Sequence, residues 1–127
     1  MNPYAADLWK RAKEAMAVAE RDLTLSPDAA ASPAYYAACY AVSALFALEG
    51  KTFTKHSAIE AAVHRDLVKT GRWAQALGAD YSSLRDLRDT GDYGGKEHVS
   101  TEEARESILA AKRILAAVRE AASELET

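Results

Sequence analysis

Residues 29 to 48, AAASPAYYAACYAVSALFAL, run without a single charged side chain. A helix of that composition has no polar face to leave in water, so it has to be covered all round. A bilayer is one such covering. Pro33 is expected to open the helix, however, which leaves Ala34 to Leu48, shorter than the roughly 20 residues a membrane span requires. The stretch is also rich in Ala, Tyr and Ser rather than Leu and Ile. The expectation is a central helix wrapped by other helices, with no membrane association.

The rest of the chain supplies helices to do the wrapping. Asn2 followed by Pro3 is an N-cap with proline at the first helical position. Ala5, Leu8, Ala12, Ala15, Ala19 and Leu23 then form one face, with Trp9 and Met16 beside it. The opposite face carries Lys10, Lys13, Glu14 and Arg21, and the mixing of Lys10, Arg11 and Lys13 with Glu14 reads as a solvated face. LSPDAAASP, residues 25 to 33, is expected to separate this helix from the central one, which ends at Glu49-Gly50. Ser57 and Glu60 have capping-box spacing and predict a short third helix through Ile59, Val63 and Leu67 to Gly71. A fourth is expected from near Trp73, fading at Gly91. The fifth is the clearest: Ser100 and Glu103 form a capping box, and Ala104, Ile108, Ala111, Leu115, Val118, Ala122 and Leu125 repeat at steps of four and three. No segment alternates with the period of a strand. The reading is an all-α, up-and-down antiparallel bundle of about five helices, one domain over residues 1–127.

The net charge of −3 gives no global attraction for nucleic acid, so any such contact needs a local patch. The one cysteine, Cys39, has no internal partner, and MNPYAADLWKRAKEAM is too charged for a secretion leader. A cytoplasmic setting is the expectation.

The helical pattern is interrupted in LRDLRDTGDYGGKEHVS, residues 84 to 100. At about 100° per residue, Leu77, Tyr81, Leu84 and Arg88 fall within about 60° of one another, so an arginine continues an apolar stripe. Two bland readings are open: Arg88 snorkels into solvent past the end of the core, or it pairs with Asp92 four residues on. The third is that Arg88 belongs to a site, with Tyr93 in the glycine-rich loop expected at residues 91 to 99.

The segments SPAYYAACYAVSALFALEGK, TKHSAIEAAV, VKTG and LRDLRDTGDY, and the helix start STEEA, in that order, resemble the HEPN domain. Within it the chain is similar to small stand-alone members with an Arg-x-x-x-Asp-Tyr signature, here Arg88 to Tyr93. The resemblance implies a dimerising helical bundle, frequently a metal-independent endoribonuclease and frequently encoded beside a small nucleotidyltransferase as a toxin–antitoxin pair. It implies no cofactor and no metal. The family signature is an arginine followed, after four to six residues, by a histidine; here the arginine is Arg88 and the histidine position holds Tyr93.

That exchange bears on chemistry. Guanidinium offers bidentate donors to phosphate, which suits Arg88. A phenol is a poor general base near neutral pH, although it can donate a proton. Arg88 and Tyr93 are the candidate catalytic pair, and the readings they support are an RNA- or nucleotide-binding toxin or a non-catalytic dimeric module that docks a nucleotidyltransferase. Asp92 and Tyr36 are candidate supporting contacts, Tyr36 as the one of Tyr35, Tyr36 and Tyr40 expected to reach the site. His98 would have to swing in across the glycines. His56, Glu60 and His64, at steps of four, are expected to be a polar surface face rather than metal ligands.

Overall fold

The computed structural model describes residues 2–126. Asn2 caps α1, Pro3–Leu23, as expected: its side-chain oxygen accepts from the backbone N–H of Tyr4 at 2.9 Å and of Ala5 at 3.2 Å. α1 buries Ala5, Leu8, Trp9, Ala12, Met16 and Ala19 along one face.

The second helix, α2, spans Pro27–Leu48 and opens earlier than expected. Ser26 is its N-cap and Pro27 takes the first helical position, while Pro33 lies inside the helix. A proline there removes one backbone hydrogen bond and crowds the preceding turn, at about 3 kcal/mol. The helix continues because tertiary burial holds both sides of the proline in line: Ala30 and Ala31 before it, and Ala34 and Tyr35 after it, are buried. With 22 residues α2 is long and apolar enough to cross a bilayer, longer than the helix expected from Pro33. α1, α4 and α5 all lie against α2, and most of its apolar surface is shielded within one chain.

α3, His56–Ala62, continues as a π-helical turn, Val63–Val68. The capping box expected at Ser57 does not form. Lys55 occupies the cap position without a side-chain bond, and the Glu60 carboxylate is drawn away to accept from the Ser82 hydroxyl at 2.9 Å. Trp73 precedes α4, Gln75–Tyr93, and is buried. Gly91 does not end α4. A Cβ there would sit 2.7 Å from the Asp28 carbonyl oxygen, so glycine allows α4 to approach the start of α2. The loop begins only at Gly94, and Gly95 takes a positive φ of 62°.

α5, Thr101–Ala121, has the expected capping box, with both reciprocal bonds at 3.0 Å. Its repeat faces the core, and the chain closes with a 3₁₀ turn, Ser123–Glu126, that buries Leu125. No strand occurs among the described residues. The main core gathers Trp9, Tyr35, Phe46, Leu67, Tyr81, Leu84, Ile114 and Val118. A smaller cluster of Ala30, Ala31, Val99 and Ala104 joins the loop to the start of α2.

Candidate functional site

Arg88 follows Tyr81 and Leu84, both buried on α4, and its side chain is only 18% exposed. It does not snorkel. The guanidinium lies 5.5 Å from the Tyr35 ring centre and 5.6 Å from those of Tyr36 and Tyr93, within cation–π range of each. It donates to the Tyr36 hydroxyl at 3.1 Å and to Asp89 at 3.2 Å. Because α4 extends beyond Gly91, Asp92 lies one turn on, and its carboxylate is 3.5 Å from Arg88 Nε. Burial pulls against the charge of Arg88, but Tyr36, Tyr93 and Asp89 outweigh it and hold the guanidinium above its ordinary pKa. The cation is thus held by ring faces and partial ion pairs, with N–H groups left over from its five donors.

Of these residues Tyr35, Arg88 and Asp89 line a cleft of about 420 Å³, with His56, Ser57, Glu60 and His64 from α3 and its π turn and Arg85 from α4, while Tyr36, Asp92 and Tyr93 lie around Arg88 outside that lining. Tyr35 and Tyr36 meet edge to face at 5.3 Å, and the His56 ring lies against them at 5.8 and 5.4 Å. Further along, His64 Nε2 and the Ser82 hydroxyl are 3.0 Å apart, and Arg85 Nε is 3.4 Å from Glu60. Burial pushes the Tyr35 phenol up to about 12, and the Cys39 thiol is likewise raised, so neither supplies an anion near neutral pH.

The structure therefore brings Arg88, Tyr36, Asp92 and Tyr93 together. Tyr93 is the last residue of α4 rather than a loop residue, and 73% of it is exposed. His98 is not brought to them. Its Nδ1 lies 2.6 Å from Asp28, whose other carboxylate oxygen accepts the Val99 N–H at 2.7 Å. That bond to Val99, with the His98 contact, holds the Asp28 carboxyl below its ordinary range.

His56, Glu60 and His64 do share a helical face, as their spacing indicates, and it is a polar surface face, with His56 exposed and all three lining the cleft. Among the described residues no group of three His, Cys, Asp or Glu side chains is placed to hold a metal ion. Arg85 and Ser82 were not singled out by the sequence. The available signal was the position of Arg85 three residues before Arg88, which puts both arginines on neighbouring parts of one helix surface.

A profile of the HEPN domain matches residues 5–121. A UPF0332 protein of Thermotoga maritima is 38% identical over 92 residues, covering 72% of this chain and 70% of that protein. The crystal structure of TT1696 from Thermus thermophilus superposes with a TM-score of 0.79 at 25% identity, over 94% of this chain and 98% of the other. With a bundle of the same architecture and a match that spans nearly all of α1 to α5, the chain belongs to the HEPN domain family.

Proposed function

We propose that the cleft binds the phosphate of an RNA chain or nucleotide through Arg88, and that the protein is the toxin-like member of a prokaryotic toxin–antitoxin pair acting as a metal-independent endoribonuclease. The observation that carries this reading is a guanidinium kept near the surface of the bundle by three aromatic rings, with donors to spare. Such a group meets a phosphate without first being reorganised, and base or ribose rings find Tyr36 and Tyr93 beside it. The family resemblance supports a homodimer in the cytoplasm as the working assembly. Loss of one charge-assisted phosphate contact is worth about 1.5–3 kcal/mol. Arg88→Ala should therefore bind a labelled single-stranded RNA about ten- to a hundredfold more weakly than the parent protein. Unchanged affinity would place the RNA elsewhere.

The exposure of Tyr93 favours a second reading. In it the protein is a non-catalytic dimeric module that docks a small nucleotidyltransferase, and the Tyr93 hydroxyl is a contact or modification point. Tyr93→Phe then abolishes modification by that partner and leaves RNA binding in place, whereas loss of RNA binding assigns the Tyr93 hydroxyl to the first reading.

A further inference from the structure

The chain has three histidines, and the fold commits two of them. His98 is held by Asp28 at the start of α2. His64 has Nε2 against the Ser82 hydroxyl, and its Nδ1 edge faces the notch at Gly78, where an added Cβ would come within 3.1 Å. His56 is exposed, and its described contacts are ring contacts with Tyr35 and Tyr36, which leave both imidazole nitrogens unspent. Those same two rings carry Arg88. His56 on α3 and Arg88 on α4 thus share an aromatic floor and line one cleft.

We propose that His56, rather than Tyr93, is the proton-transferring group of this site, acting on a ribose 2′-hydroxyl while Arg88 holds the neighbouring phosphate. This deepens the ribonuclease reading and rests on it. An imidazole takes and returns a proton near neutral pH, which an unassisted phenol does poorly. Tyr93 occupies the signature's histidine position five residues after Arg88 on α4, and the fold sets a histidine from another helix beside the same arginine. In the step, a His56 ring nitrogen takes the proton of the 2′-hydroxyl and the 2′-oxygen bonds to phosphorus. The bond from phosphorus to the 5′-oxygen breaks, and that oxygen takes a proton from solvent. The imidazolium returns its proton to solvent. The products are a 2′,3′-cyclic phosphate and a 5′-hydroxyl, and no further reactant is consumed.

The test is single-turnover cleavage of a labelled RNA oligomer, alongside binding of the same oligomer fully 2′-O-methylated, which cannot be cleaved. His56→Gln should slow cleavage by about a hundredfold or more while holding the methylated oligomer as tightly as the parent protein does. Arg88→Ala should lose affinity for the methylated oligomer, and His98→Gln should cleave normally. Parental cleavage by His56→Gln overturns the proposal. So does a parent protein that binds the methylated oligomer and cleaves nothing, an outcome that leaves the phosphate role of Arg88 standing. If Arg88→Ala binds that oligomer as well as the parent protein, the underlying reading of the cleft falls too.

Discussion

The two sides of α2 are built from different materials. In the half of the bundle formed by α1, α2 and α5, the completely buried residues include Ala12, Ala19, Ala38, Ala41, Ala111, Ile114 and Val118. Small and aliphatic side chains let helix axes approach closely and bring few polar atoms that need partners. In the half formed by α2, α3 and α4, α2 presents Tyr35 and Tyr36, and they meet His56, Tyr81 and Arg88. Tyr35 and Tyr81 are buried there, and Tyr35, His56 and Arg88 line the cleft beside them. The first half is a scaffold, and the second trades packing for chemistry.

The largest expected effect lies in the scaffold. Ile114 of α5 is completely buried. Ile114→Ala should cost about 2–5 kcal/mol of stability, read as a lowered urea midpoint. A cost near zero would mean that this half is not what holds the bundle together. Gly91→Ala probes the seam where α4 meets the start of α2. Its methyl group would meet backbone rather than a movable side chain, and the strain should cost about 1–3 kcal/mol in the same measurement. Parental stability in that variant would show that the close approach is dispensable.

The smallest effect concerns the loop that follows the cleft. Asp28 is held below the 3.8 of a free aspartate by the Val99 N–H and by His98. A carboxyl whose folded pKa is depressed stabilises the fold fully above its unfolded value, and that stabilisation is lost as the pH falls through the lower folded value. The Val99 amide resonance should therefore keep its position down to the ordinary carboxylate range and move only below it. Asp28→Asn should remove that acid transition while leaving the melting of the scaffold nearly unchanged.

Much of the scaffold was legible because its signals are local. The Asn2 cap, the Ser100–Glu103 box and the repeat along α5 are each set within a turn or two of chain. Pro33 misled because a local rule for helix starts competed with burial that only tertiary contact reveals, while Ser26-Pro27 provided the actual start. The Ser57 box failed for a similar reason, since Glu60 found Ser82 and Arg85 across the cleft. Arg88 was legible as an arginine on an apolar stripe, and its pair with Asp92 followed once α4 ran past Gly91. Its other neighbours were harder to read. Tyr36 lies 52 residues away in sequence, and spacing tells which face His56, Glu60 and His64 share without telling what that face meets.

The most direct test of the division between scaffold and site is to titrate the protein with a short non-cleavable RNA and follow its NMR resonances. Shifts should concentrate at Tyr36, His56, Arg88 and Tyr93, with the α1 and α5 surfaces around Lys13, Leu109 and Lys112 unmoved, and Arg88→Ala should erase the pattern. Shifts centred on the α1–α5 surface, or a pattern that survives Arg88→Ala, would contradict that division.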